Sequence, residues 1–486
     1  MSIKIQHFTF KKGLLAVCFL SGAFLFSCKK NSLLTNSSAK LTFSQNAVEF
    51  DTVFTTVGST VQAFLVHNNH NQPIQVASVK LVGNYLSPFK INIDGTPGTS
   101  FSNVTIPAND SIYVFVTVTL NPNNQNNPLV IEDSLQFITN GNTQYVYLQA
   151  YGQDAYFYKP NVFPSNGPAY SFATCNDVWK NDKPHVIFGY LAVNSGCKLT
   201  MEPGTKVYLH NNAVLYISQG GTLNVIGKHD SEVVFQGDRL EPEYQTVPGQ
   251  WGEIWLSPGS INNNITWAII KNGTIGVEAD TLGNSSPTLT IDHTIIKSMS
   301  QFGLLGQGSY IIGNTDLIAD CQYFCVDLAI GGSYSFDQCT FANYWSYGQR
   351  QTALLNINNW YQDVNGNNQS RPITKAFFGN CIIYGSQQEE VALDSAQGGA
   401  FNYYFEICDL ATQHNTSNSF HYSSSTFVNQ NPGFNNPSVD NYNIPTGLPI
   451  DGAGNDSIGY NLKYVTDLNG ATRPSSPYDL GAYIAQ

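Results

Sequence analysis

Between Ile265 and Leu410 one short phrase occurs six times: a bulky apolar residue, two spacers, Ala, Thr or Cys, one spacer, and another bulky apolar residue. The instances are Ile265/Ala268/Ile270, Ile291/Thr294/Ile296, Ile312/Thr315/Leu317, Phe336/Cys339/Phe341, Phe378/Cys381/Ile383 and Phe405/Cys408/Leu410. Their small residues fall 26, 21, 24, 42 and 27 positions apart. That is close to one coil of a parallel β-helix, in which each coil stacks on the one before and buries a ladder of like side chains. Composition agrees: 12% of residues are charged, 13% are aromatic, and 41 Gly with 22 Pro favour turns over long helices. The expected class is all-β.

Ahead of the repeat, short β candidates separated by turn signals occupy 48–54, 61–67, 74–81, 89–93, 111–120, 134–139 and 144–151. Ile112, Val114, Val116, Val118 and Leu120 alternate as a strand with one buried face does, and Asn140-Gly141 supplies a tight hairpin turn. About seven strands over 41–153 suggest an immunoglobulin-like sandwich. Residues 154–184, rich in Pro, Asn and aromatics, read as a linker. From 185 shorter β pieces follow at 190–193, 198–201, 206–209, 213–218, 222–226 and 232–236.

The first 27 residues combine a basic start (Lys4, Lys11, Lys12) with an apolar run from Leu14 to Phe26. This is the pattern of a secretory signal, and about 13 apolar residues are few for a membrane span. Leu25-Phe26-Ser27-Cys28 resembles the bacterial lipobox, which implies acylation of Cys28, a flexible tether over 28–40 and a membrane partner through the lipid. By resemblance to lipoprotein sorting rules, Lys29 implies the outer membrane, facing either the periplasm or the cell surface. Loss of the three leader lysines takes the net charge from −12 to −15. With no basic cluster, nucleic acid is excluded as a partner.

Further along the chain the resemblance covers residues 185–486. Leu199-Thr200-Met201-Glu202-Pro203-Gly204-Thr205, Phe235-Gln236-Gly237-Asp238-Arg239 and Pro248-Gly249-Gln250-Trp251-Gly252 are similar to the opening coils of right-handed β-helix lipoproteins of Bacteroidota. Asp467-Leu468-Asn469-Gly470, Arg473 and Asp479-Leu480-Gly481-Ala482-Tyr483 resemble their closing motif. The implied architecture is a sandwich followed by a right-handed parallel β-helix over 185–440, with a closing segment at 441–486. Six Asp-Ser/Thr-apolar triplets resemble the O-glycosylation sequon of the same bacteria, at Thr52, Ser111, Ser134, Thr281, Ser395 and Ser457.

Seven cysteines remain after Cys18 and Cys28. Three of them fill the small slot of the repeat, where a thiol acts as a small hydrophobe, and Cys175 with Cys197 is one available disulfide. Cys321 and Cys325 lack zinc-site spacing, and neither a metal nor a cofactor is expected. The repeat also serves as a ruler for acids. The column after the small slot reads Ile269, Ile295, Asp316, Thr340, Ile382, Asp409 and is expected to face outward. Two columns lie before the slot: Thr266, Asp292, Gly313, Asp337, Gly379, Glu406, and Trp267, His293, Asn314, Gln338, Asn380, Ile407. The second has the amides of a turn ladder. A polysaccharide lyase or glycoside hydrolase would draw on Asp292, Asp316, Asp337 or Glu406, but Asp292 and Asp337, two coils apart, stand roughly 10 Å from each other.

The 42-residue interval from Cys339 to Cys381 is nearly two coils long and carries Tyr344, Trp345, Tyr347, Arg350, Trp360 and Tyr361. Insertions in a solenoid emerge on one face and often bind ligands. Its aromatics either cap the coil's core or stack on sugar rings. The sequence therefore points to a non-catalytic binding or structural module of the envelope, with glycans or envelope proteins as its partners and the polysaccharide enzyme as the alternative.

Overall fold

The computed structural model describes residues 32–122, 129–280, 286–455, 457–458, 466–474 and 478–486. The expected leader, Cys28 and Thr281 lie outside the described residues. The chain divides into two units, Met1–Gln153 and Asp154–Gln486.

Unit one is a sandwich of two sheets. One contains Thr42–Phe43, Gln62–Asn68, Asp110–Val118, Phe89–Ile93 and Thr96–Gly98; the other contains Ala47–Phe54, Asn142–Gln153, Leu129–Thr139, Ile74–Leu81 and Ser100–Ile106. Pairing is antiparallel except where Ala47–Phe54 runs parallel to Asn142–Gln153. The alternating strand buries Val114, Val116 and Val118 completely, while Tyr113 and Phe115 stack on its outer face at 5.7 Å. Each such buried Val adds about 1.5–3 kcal/mol. Strand Ser100–Ile106 has no counterpart in the sequence reading; exposed Ser and Asn hide its alternation.

In unit two the described residues form three parallel sheets of eleven, nine and nine strands; nine coils each give one strand to each in turn, and Asp409–Leu410 and Phe427–Val428 extend the first sheet. The stretch read as a linker is the first coil. Tyr156–Tyr158, Tyr170–Phe172 and Val178–Trp179 pair with His185–Ile187, Tyr190–Val193 and Lys198–Met201, while the Pro and Asn residues occupy the turns. Trp179, 1% exposed, stacks on His185 at 4.1 Å and joins the core of the solenoid.

The six phrases span the corner from the third sheet to the first, with one shift. Strand register aligns Ile291 with Gly313 and Phe336, and Ile295 with Leu317 and Thr340. The small slot of the third coil is therefore Asp316, not Thr315, and the interior ladder runs Ala268, Thr294, Asp316, Cys339, Cys381, Cys408. Gly313 occupies the bulky slot, where a Cβ would stand 2.4 Å from the Phe336 ring. From Phe336 onward that slot holds stacked rings: Phe336 to Phe378 at 5.6 Å, Phe378 to Phe405 at 4.9 Å and Phe405 to Tyr422 at 5.6 Å. These spacings follow the coil rise. The corner residue is left-handed at Trp267, His293, Thr315, Gln338, Asn380 and Ile407. Asn and His suit that backbone best, and Asn380 and His293 take it, whereas Asn314 of the expected amide column stands one position before the corner.

The column expected to face outward is covered. Tyr442, Ile444, Ile450, Leu468, Leu480 and Ala482 from the last 45 residues pack on Leu317, Ala319, Ala342 and Ile382 of the first sheet. The closing motif builds that cover. Asp467 accepts the amides of Asn469, Ala471 and Ile484; Asp479 accepts those of Gly452 and Ala485; Arg473 donates to the Gly481 carbonyl. Ala482 N–H in turn donates to Thr340 Oγ1 at 2.9 Å.

Cys175 and Cys197 are disulfide-bonded across the first two coils, whereas Cys321, Cys325, Cys339, Cys381 and Cys408 are free and buried. Closing a loop of this length restricts the unfolded chain by about 3 kcal/mol. Unfolding free energies from denaturant titrations with and without reductant should differ by that amount; equal values would show that the first coils do not limit stability.

Candidate functional site

The acids read along the corner do not converge. Asp316 is fully buried inside the solenoid, accepting the amides of Thr294 and Asn314 at 2.9 Å each, and burial holds its carboxyl well above the usual range. Asp337 is 1% exposed. Asp292 is half-buried and held by His293 Nδ1 at 2.8 Å, and His293 Nε2 meets Thr466 of the C-terminal cover. Glu406 lies four coils from Asp292 along the register, roughly 19 Å. The shift at Gly313 turns Asp316 inward, and Thr466 of the C-terminal cover meets His293 beside Asp292.

The 42-residue interval is a single coil, since Thr340–Asn343 pairs directly with Ile382–Gly385. Its extra residues are divided by the second-sheet strand Leu355–Asn358 into a loop before it and a hairpin after it, Trp360–Gln362 with Asn368–Ser370. The six expected ligand residues are split accordingly. Trp360 and Tyr361 lie on the hairpin, Tyr361 under the Arg371 guanidinium at 5.1 Å. Arg350 is buried against Glu390 and is not available to a ligand.

Tyr344, Trp345 and Tyr347 do come together, on one wall of a cavity of about 700 Å³. Asn436 to Asp440 also line it, as do Ser298 and Asp320, left-handed residues of adjacent coils. The Trp345 and Tyr347 rings lie 5.5 Å apart at 54°. Tyr347 Oη donates to Thr246 Oγ1 at 2.7 Å. Charges at the lining are already answered: Asp320 accepts Tyr344 N–H and Tyr442 Oη, and Asp440 holds Lys297 Nζ at 2.6 Å. Burial pushes the Asp320 carboxyl up to about 6 despite those donors. The Trp345 indole N–H is buried without an acceptor.

A second region escaped the sequence reading. On the outer face of the second sheet, register places Phe172, Ala192, Tyr216, Trp255 and Glu278 in one column, one per coil. Glu253 precedes Trp255 by two positions and Asp280 follows Glu278 by two, so all three carboxyls share that face. Glu278 accepts Gln307 Nε2 at 2.7 Å and Asp280 accepts Trp255 Nε1 at 2.8 Å. Burial pushes Glu278 up to about 7, helped by Glu253, and Asp280 up to about 6. The signal was present: Glu253 to Glu278 and Trp255 to Asp280 are both 25 apart, one coil.

In the sequon-like triplets Asp51, Asp110 and Asp133 each accept the amide of the following residue at 2.7–2.8 Å. Thr52, Ser111 and Ser134 are half-buried, whereas Ser395 and Ser457 are exposed. Among the described residues no group of three or more His, Cys, Asp or Glu is placed to hold a metal ion, and no helix is long and apolar enough to cross a membrane.

No family model matches the chain, and no curated protein does. Solved structures with local likeness include a family 123 glycoside hydrolase from Clostridium perfringens, at 8% identity over 25% of this chain and 30% of that one, with a TM-score of 0.18. A PapD-like domain of human CEP192 matches at 9% identity over 32% of this chain and 97% of that one, TM-score 0.17. The CooA pilin subunit of enterotoxigenic Escherichia coli matches at 12% identity over 24% and 97%, TM-score 0.19. Likenesses of this size assign no activity.

Proposed function

We propose that this chain is a lipid-anchored protein of the bacterial outer membrane, tethered through an acylated Cys28, whose β-helix binds an uncharged glycan in the Tyr344–Trp345–Tyr347 groove without cleaving it. The observation that carries the reading is the groove. Its aromatic wall offers faces for sugar rings, and the buried Trp345 N–H is a donor that a sugar hydroxyl would satisfy, removing a desolvation penalty of about 1–3 kcal/mol. Because Lys297 and Asp320 are held by Asp440 and Tyr442, the lining favours a neutral ligand.

A glycan array on the full chain, followed by titration of the best neutral oligosaccharide, tests this. The joint variant Trp345→Ala/Tyr347→Ala should lose at least tenfold in affinity while keeping the wild-type melting point. Cys28→Ser should move the protein from the membrane pellet to the soluble fraction. New reducing ends or unsaturated products from the bound glycan would overturn the non-catalytic reading, and unchanged affinity in the joint variant would move the site elsewhere.

A further inference from the structure

The aromatic column of the second sheet borders a second cavity, of about 460 Å³, on whose other side stand Pro164 and Pro168. Tyr190, Tyr216 and Trp255 line it, with Tyr216 and Trp255 5.1 Å apart on successive coils, close to the advance of one pyranose unit. Immediately beyond Trp255 the face becomes acidic. Trp255 Nε1 is bonded to Asp280, and Tyr190 is close enough to Glu253 and Glu278 that their charges, after burial, raise its phenol. The strands of this sheet carry Glu278, Asp280, Asp327 and Asp394 and contain no Lys or Arg, whereas the first sheet carries Lys206, Lys271 and Lys297.

We infer that this face binds a glycan bearing free amino groups: its rings lie against Tyr190, Tyr216 and Trp255, and an ammonium sits among Glu253, Glu278 and Asp280. The aromatic groove supplies the shape and the carboxyls supply charge complementarity. Among the described residues no Lys, Arg or His forms an ion pair with them, and the hydrogen bonds to Glu278 and Asp280 come from Gln307 and Trp255, both uncharged. Burial raises both the Glu253 and the Glu278 carboxyl, so the pair retains a proton when no cation is bound. The ammonium takes the place of that proton, which leaves to solvent, and both carboxylates then accept N–H bonds. The groups that face the pair are Asp280, Tyr190, Trp255 and Gln307, with Asp327 two coils further along. This site is independent of the Trp345 groove, and its ligand differs from that one in charge.

Calorimetric titration of the full chain at pH 6.5 with the fully deacetylated glucosamine hexamer and with its fully N-acetylated counterpart tests the inference. The deacetylated hexamer should bind at least tenfold more tightly, with affinity falling as salt rises. Trp255→Ala should lower that affinity tenfold or more. Glu278→Gln/Asp280→Asn, which keeps shape and hydrogen bonds, should abolish the preference for the free amine with an unchanged melting point. Trp345→Ala/Tyr347→Ala should leave it intact, which separates this site from the proposed neutral-glycan groove. Equal affinity for the two hexamers, no binding of either at millimolar concentration, or a preference that survives Glu278→Gln/Asp280→Asn would each overturn it.

Discussion

Replacing Arg350 by alanine is expected to destabilise the β-helix by about 3–5 kcal/mol, measured as a shift in the urea unfolding midpoint. The arginine and Glu390 side chains are 3% and 0% exposed. Nη1 donates to Glu390 Oε2 at 2.6 Å and to the Thr352 carbonyl at 3.0 Å, while Nη2 meets Glu390 Oε1, the Asn343 carbonyl and Ser386 Oγ. Glu390 also accepts Gln387 N–H at 2.9 Å. The pair thus ties the inserted loop to two successive coils. Burial raises the Glu390 carboxyl even though the guanidinium opposes that shift, which means that desolvation outweighs attraction at this position. Truncating the arginine leaves a carboxylate in the interior with too few donors, and that orphan charge is the source of the loss. Exchanging both partners, Arg350→Met with Glu390→Leu, should recover most of the stability, because an apolar pair of similar volume needs no solvation. A loss under 1 kcal/mol for the single variant, with a fall in glycan affinity, would return Arg350 to the ligand-binding set.

The contrast between Arg350 and Trp345 shows how far the sequence could reach. Both lie in the one interruption of the repeat, so the insertion was legible as a special segment. Which of its residues turned inward depended on Glu390, 40 positions away, and no periodicity reports such a partner. Where the period itself decides, reading was close: Cys339, Cys381 and Cys408 fill the inner slot, and Ile74–Leu81 and Phe89–Ile93 have the expected bounds. The error at Ile312 has a local cause. Ile312 satisfied the phrase, but Gly313 held the inward position because the ring of Phe336 needs that space, so the ruler slipped by one and placed Asp316 on the wrong side. The covering of the first sheet was illegible for a different reason, since it joins Thr340 to Ala482 across 142 positions. The acidic face of the second sheet was missed only because the ruler was laid along one corner; its strands are three to six residues long, too short to show alternation unaided.

Asp409 carries the second large effect. It stands in the column expected to meet water, yet it is 0% exposed, one coil beyond Ile382, on which the C-terminal cover packs. No donor meets either carboxyl oxygen in good hydrogen-bond geometry, although the Gln430 backbone offsets part of the burial penalty. Burial therefore pushes its carboxyl from 3.8 up to about 7. The folded state binds this proton more tightly than the unfolded chain does, so the contribution is complete below about pH 4 and is lost as pH rises to about 7. At 1.36 kcal/mol per pH unit, about 2 kcal/mol disappears between pH 5.5 and 8 from this residue alone. Asp320 and Asp327, both pushed by burial to about 6, act in the same direction at the lower end of that window. The wild-type protein should accordingly unfold at lower urea at pH 8 than at pH 5.5. Asp409→Asn has no proton to lose; its unfolding midpoint should be higher than wild type at pH 8, and the difference between the two pH values should shrink by about 2 kcal/mol. An unchanged pH slope would mean that Asp409 is ionised in the folded protein, and the C-terminal cover would then have to admit water or a cation over the first sheet.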